Sequence, residues 1–321
     1  CEESAYGGWS RGLHLFTDEV ELWVSLEVGP RILRCQRRVK ENLFYEDVSQ
    51  LGGRGEPSFR LRGGHRFWTA PESPETYEAD NSEVAYVVGK SCVELVAPPQ
   101  FGLRKTLLIE SLSPSLFRVR HGLHNVSSLP IARAPWALSV MAPSGIALLP
   151  QPPLRAHPSS LPAGIPWRDE DLLPNRRLVL WPYPGLGDPR LQLSGRLWTV
   201  EQRRDRPPLK LGLYDQSGGL DLLGCVAGYQ LGSSVFVKSV PVSKAGTYPD
   251  LGASFELYTD GNFLELETLG PMQTLLPDET CWHDELWLGR ESAVSLRDEA
   301  QGLSFLTDAL RDMARHSRAA E

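Results

Sequence analysis

No C-x-x-C pair occurs among the five cysteines (Cys1, Cys35, Cys92, Cys225, Cys281). Their odd number and wide spacing argue against zinc-ribbon and dithiol chemistry and leave buried reduced thiols as the expectation. No basic block is present either. With 33 basic against 40 acidic residues and a net charge of −7, nothing forms a phosphate-tracking stripe, so nucleic acid is not an expected partner. Long apolar runs are missing as well. The most apolar stretch, Leu129 to Leu154, carries Arg133 and prolines at 130, 135, 143, 150, 152 and 153, which excludes a spanning helix. A soluble, cytoplasmic protein is expected, and lipid anchoring or export is the alternative if Cys1 is a processed N-terminus. Truncation before Cys1 is the preferred explanation of the missing Met.

What is abundant is turn chemistry. The 29 glycines and 26 prolines are many for a helical chain, whereas 41% hydrophobic and 23% charged residues exclude disorder and supply a core. Leu22, Val24, Leu26 and Val28 alternate with Glu21, Ser25 and Glu27 up to Gly29-Pro30, the period-two pattern of a half-buried strand. The same alternation recurs at Phe117–Leu123, Trp136–Val140, Leu209–Leu213 and Phe255–Thr259. Many short strands between Gly, Pro, Asn and Asp clusters predict an all-β fold, a large antiparallel sandwich.

Pro150 to Pro189 holds ten prolines and little alternation, so it is expected to cover an edge or rim of a sheet. Leu303, Leu306, Leu310 and Met313 recur at helical steps with charges between them, which predicts a C-terminal helix over 303–317. No repeat or linker divides the chain. One domain over 1–321 is expected.

Two constellations could carry chemistry. Arg62-Gly63-Gly64-His65-Arg66-Phe67-Trp68-Thr69-Ala70-Pro71-Glu72 sets two arginines, a histidine, a tryptophan and a carboxylate together, after glycines that permit a turn or a close approach. A sugar presents C–H faces to aromatic rings and hydroxyls to charged groups, and this set offers both; the bland alternative is surface ion pairing beside a core Phe67 and Trp68. In the second, a strand over Phe263–Leu269 puts Glu265 and Glu267 on one face and Leu264 and Leu266 on the other. Paired carboxylates in a pocket push one pKa upward, as a general base requires; the bland alternative is a solvated strand face. His121 shares its face with Phe117, Val119 and Leu123, a core setting, and ranks as a secondary candidate. With His124 it makes an H-x-x-H pair that lacks a third ligand, so no metal is implied. Lys210 and Lys238 could receive a phosphate or carboxylate, or pair at the surface.

In these residues the chain resembles the galactose mutarotase-like (aldose 1-epimerase-like) superfamily, most closely a branch of uncharacterised function. Arg62-Gly63-Gly64 with a following aromatic and Pro71 is similar to the R-G-G-x-P segment of hexose-6-phosphate mutarotases. Leu266-Glu267-Thr268 and Leu276-Pro277-Asp278-Glu279-Thr280 resemble the L-E-T and L-x-P-G-E pieces of aldose 1-epimerases, and Val28-Gly29-Pro30-Arg31-Ile32 and Asn125 to Trp136 fit the same order. The likeness spans residues 6 to 290 by order of elements. It implies a β-supersandwich with a sugar-binding face, a glutamate base matched by Glu267, an arginine matched by Arg62 that holds substrate, and neither metal nor nucleotide cofactor. Two features depart from it. Ala134-Pro135-Trp136 stands where the family places its acid histidine, and its H-G-G element has no counterpart.

The resulting expectation is a carbohydrate-binding protein. As an isomerase it would use Glu267 as base and His65 as acid, with Arg62, Arg66, Trp68, Glu72, His121, Trp136, Lys210, Lys238 and Glu265 around a sugar or sugar phosphate. A non-catalytic sugar-recognition module is the alternative. A scaffold binding another protein chain is the third option, favoured if the 150–189 segment fills the groove.

Overall fold

The computed structural model describes residues 1–160, 164, 166, 168, 171–193, 195–214 and 224–318. Its strands form two antiparallel sheets, as the period-two stretches predict. The larger has eleven strands. Its path runs Glu2–Tyr6, Trp9–Phe16, Val20–Ser25, Arg31–Arg37, Gly64–Ala70, Ile131–Met141, Leu264–Leu269, Phe255–Thr259, Leu209–Leu213 and Leu178–Leu180, with Gln273–Leu275 paired beside Ile131–Met141. The second has ten strands, from Leu191–Gln192 through Leu197–Glu201, Ile146–Pro150, Cys225–Leu231, Ser234–Val240, Thr280–Glu291, Leu116–Asn125, Leu103–Ser113 and Cys92–Val96 to Ala85–Val88.

The sheets face each other across one apolar layer, to which the larger gives Leu22, Val24, Leu211, Leu257 and Leu266 and the smaller Leu107, Val119, Phe236 and Trp287. Burying one such side chain stabilises the fold by about 1.5–3 kcal/mol. The outer face of the ten-stranded sheet is covered by the helix Glu299–Arg318, whose Leu306, Ala309, Leu310 and Met313 pack on Leu148, Val226, Val237 and Leu288. It begins four residues before the apolar pattern, because Asp298 caps it: Oδ1 accepts from the Gln301 N–H at 3.0 Å. This helix is too polar to cross a membrane.

The 150–189 segment, where described, edges the larger sheet with Leu178–Leu180, and Leu191–Gln192 just beyond it edges the smaller one; residues 161–163, 165, 167, 169 and 170 of it lie outside the described residues. Cys35, Cys225 and Cys281 are buried thiols, Cys92 is half-buried and Cys1 exposed. Gly63 and Gly64 both have positive φ, and a Cβ at either would lie 2.0 Å from the Tyr45 carbonyl oxygen or 2.3 Å from that of Ile32. Their role is close packing of backbone on backbone.

Candidate functional site

Five neighbouring strands of the larger sheet point alternate side chains away from the apolar layer, and these make a pocket. Across the sheet Arg66 lies opposite Leu138, Leu138 opposite Glu267, and Glu267 opposite Glu256. The next row brings Glu265, Tyr258 and Lys210 into register, and Trp68 pairs with Trp136. Pleat periodicity alone therefore gathers four strands' worth of charge and two indoles onto one face. Phe59, Tyr77, Tyr183 and Phe263 close the walls around about 270 Å³.

Lys210 organises the charges. Its Nζ lies 2.8 Å from Glu256 Oε2, 3.5 Å from Glu267 Oε2 and 3.7 Å from Glu72 Oε2. It also sits over the rings of Trp136 and Trp181, at 4.6 and 4.8 Å. Burial works against this ammonium, but Glu267 and Glu256 override it and hold the pKa above its ordinary value. Arg66 forms an ion pair with Glu265, Nη2 and Oε1 lying 2.9 Å apart, and stacks over Trp68 at 4.3 Å.

Glu267 is fully buried at the floor. Oε2 accepts from Trp136 Nε1 at 2.9 Å. Burial pushes its carboxyl up to about 7, against the pull of Lys210 and with the push of Glu265. Glu256 is driven well above the carboxylate range, by burial first and by Glu267, although Lys210 pulls it down. Among the described residues that line the pocket, Glu265 Oε1, Glu267 Oε1, Arg66 Nε and Nη1 and Trp68 Nε1 are buried without a hydrogen-bond partner. Three N–H donors and two carboxylate acceptors thus stand unsatisfied at one hollow, the condition a polyhydroxylated ligand relieves.

Of the residues expected from the sequence, Arg66, Trp68, Glu72, Trp136, Lys210, Glu265 and Glu267 line this pocket. Four others do not. His65 and His121 are completely buried in the layer between the sheets, so the expected imidazole acid does not face the pocket. The cause is parity: His65 lies between Gly64 and Arg66 on its strand and points opposite to Arg66 and Trp68. Lys238 is also interior, with Nζ 2.7 Å from Glu285 Oε1, out of reach of any ligand phosphate in the pocket. Arg62 is buried in the loop before its strand, where it donates to Glu56 Oε2 at 2.5 Å, Asn81 Oδ1 at 3.0 Å and the Gln50 carbonyl at 2.7 Å. It holds loops together; Arg66 is the guanidinium at the pocket.

The interior residues form a network of their own directly behind the pocket floor. His121 Nδ1 faces the His283 carbonyl at 2.9 Å and must donate to it. In a neutral ring Nε2 is then an acceptor, so His65 Nε2–H donates across 2.8 Å, and His65 Nδ1 accepts from the Ser139 hydroxyl at 3.0 Å. Lys238 donates to Ser139 Oγ at 3.2 Å and to the Leu266 carbonyl at 3.1 Å. Glu285 takes Lys238, the Thr268 hydroxyl and, at 2.7 Å, Trp287 Nε1; His283 Nε2–H then donates to Thr268 Oγ1 at 2.7 Å. Burial keeps the three imidazoles below their ordinary pKa, His283 down at about 3. Glu285 lies below the carboxylate range despite its burial, because the Lys238 ammonium favours its charge. His65, His121 and Glu285 bring ligand atoms within 4.8 Å of one another. A dication there would face the Lys238 ammonium on the same carboxylate, so the group fits a metal poorly.

Sequence reasoning misses Phe59, Tyr77, Trp181, Tyr183, Glu256, Tyr258 and Phe263. Glu256 and Tyr258 have a readable signal, the polar parity of the Phe255–Thr259 strand, and Phe263 shares the parity of Glu265 and Glu267; the others come from loops without periodicity.

No family model matches the chain, and no curated protein matches it. Solved structures do. A galactose mutarotase related enzyme from Lactobacillus acidophilus is 9% identical, with 87% of this chain and 97% of that one covered at a TM-score of 0.52. A candidate aldose 1-epimerase from Escherichia coli K12 is 12% identical, covering 88% and 99% at 0.52. A protein of Synechocystis sp. PCC 6803 is 11% identical, covering 88% and 96% at 0.54. At such identities the likeness is one of fold. This chain has the galactose mutarotase-like β-sandwich.

Proposed function

We propose that this galactose mutarotase-like sandwich is a carbohydrate-binding protein that takes one sugar ring in the Glu267 pocket. The observation that carries this is the pairing of aromatic walls with buried, unpartnered polar atoms: Glu267 Oε1 as acceptor, Arg66 Nε and Nη1 and Trp68 Nε1 as donors. A pyranose offers apolar C–H faces to Trp68, Trp136 and the tyrosines, and hydroxyls that donate and accept. A volume near 270 Å³ suits a monosaccharide, since pockets for larger ligands start at about 300 Å³.

Anomer interconversion is the second reading, favoured by Glu267. A carboxylate with a pKa near 7 is matched to removing the anomeric hydroxyl proton at neutral pH. The ring oxygen must then receive a proton, and no histidine lines the pocket among the described residues. Lys210 and the phenols of Tyr77, Tyr183 and Tyr258 are the candidates, and every one is held above its ordinary pKa. These are weak acids, which supports recognition over catalysis.

Calorimetric titration with neutral, phosphorylated and amino aldoses tests the binding reading: saturable binding is expected, and Trp68→Ala should weaken it by up to about tenfold, the loss of an aromatic contact worth about 0.5–1.5 kcal/mol. Absence of binding across the panel overturns it. Exchange NMR on the bound aldose tests the isomerase: Glu267→Gln should abolish any acceleration, and an unaccelerated wild type excludes that activity.

A further inference from the structure

Four carboxylates (Glu72, Glu256, Glu265 and Glu267) converge at the pocket on two cations, Arg66 and Lys210. Arg66 is matched by Glu265 at 2.9 Å. Lys210 alone serves the other three. The geometry identifies Glu72 as the carboxylate held least closely by a cation. Its contact with Lys210 is the longest of the three, at 3.7 Å, and 40% of its side chain is exposed at the rim. Its Oε1 accepts from the Tyr77 hydroxyl, and the Tyr77 ring stands against Trp68 at 5.0 Å.

We infer that the pocket selects a sugar bearing a protonated amine over neutral sugars and over sugar phosphates, with the ammonium beside Glu72 and the Tyr77 ring. This rests on the carbohydrate reading of the same pocket. The pocket already holds one ammonium by the same means: Lys210 Nζ lies between carboxylates and over two indoles. A second cation at the rim meets a carboxylate with spare capacity and an aromatic face, the two elements of ammonium recognition. A phosphate would meet the reverse. The Arg66 charge is neutralised by Glu265, Lys210 is enclosed by acids, and Lys238 lies beyond the floor in the interior. Free Arg66 N–H groups can still donate to hydroxyls.

The test is calorimetric titration at pH 7 with glucosamine, galactosamine, glucose, galactose, N-acetylglucosamine and glucose 6-phosphate. One amino sugar should bind at least about tenfold tighter than its neutral parent, as one added charge-assisted contact provides. N-acetylglucosamine, which keeps the substituent but loses the charge, should lose that advantage, and the phosphate should bind most weakly. Glu72→Gln should bring the ratio of amino to neutral sugar close to one, with thermal unfolding confirming that the variant is folded. Equal affinities for amino and neutral sugars, or tighter binding of the phosphate, overturn the inference and leave the carbohydrate reading standing. No binding by any of the six overturns both.

Discussion

The two faces of the same three strands solve opposite electrostatic problems. On Gly64–Ala70, Ile131–Met141 and Leu264–Leu269, one face carries Arg66, Trp136 and Glu267, and the other carries His65, Ser139 and Thr268. The interior face is closed on itself: each imidazole has a partner, and Glu285 is surrounded by donors. The pocket face is left short, with three carboxyl groups gathered on one ammonium and buried donors and acceptors without partners. Saturated polar groups make structure, and unsaturated ones in a hollow ask for a ligand.

The largest expected effect is on the closed face. Glu285→Gln leaves the Lys238 ammonium buried without its counter-charge, and the loss should be about 3–5 kcal/mol in chemical denaturation. A loss under about 1 kcal/mol would mean that Lys238 is not held as a charge.

Acid and alkali should separate the faces by sign. His283 titrates at about 3 folded against 6.5 unfolded, so in acid the unfolded chain binds more protons. The histidine contribution is complete above pH 6.5 and falls as pH drops below it. Glu267 titrates at about 7 folded against 4.5 unfolded. Here the folded chain holds the extra proton, so the Glu267 contribution is complete below pH 4.5 and is lost as pH rises through 7. Glu267→Gln should therefore flatten the alkaline limb between about pH 5 and pH 8 by about 1–3 kcal/mol, and leave the histidine limb in place. An unchanged alkaline limb would show that Glu267 ionises as an ordinary carboxylate.

The smallest effect is at a single hydrogen bond. Trp136→Phe removes the indole N–H from Glu267 Oε2, a bond that favours the ionised form, and should raise the Glu267 pKa further, by about one unit or less. A downward shift seen by carbon-detected NMR would contradict that assignment.

Much of the fold is legible in the chain because half-buried strands alternate visibly. Leu209–Leu213 and Phe255–Thr259 have the bounds that alternation predicts, and Glu265 with Glu267 opposes Leu264 with Leu266 as expected. His65 is where that reading fails. Every residue of Gly64–Ala70 is buried, one face against the second sheet and the other beneath the pocket, so polarity does not alternate and does not reveal which side is which. Assigning Trp68 to the pocket would have sent His65 to the opposite side. For Lys238, Phe236 and Val240 share its parity and face the apolar layer, a signal that is present but overridden by the habit of lysine for the surface. Trp181 and Tyr183 reach the pocket from irregular chain, where only tertiary structure determines direction.

The contrast between the faces is tested most directly by NMR titration of the wild-type protein, observing the Glu267 side-chain carboxyl and the His65 and His121 rings as an aldose that binds is added. Glu267 should titrate near pH 7 in the free protein and shift with sugar, while both rings stay still. An imidazole that responds to sugar while the Glu267 carboxyl remains unmoved near its ordinary pKa would contradict the account.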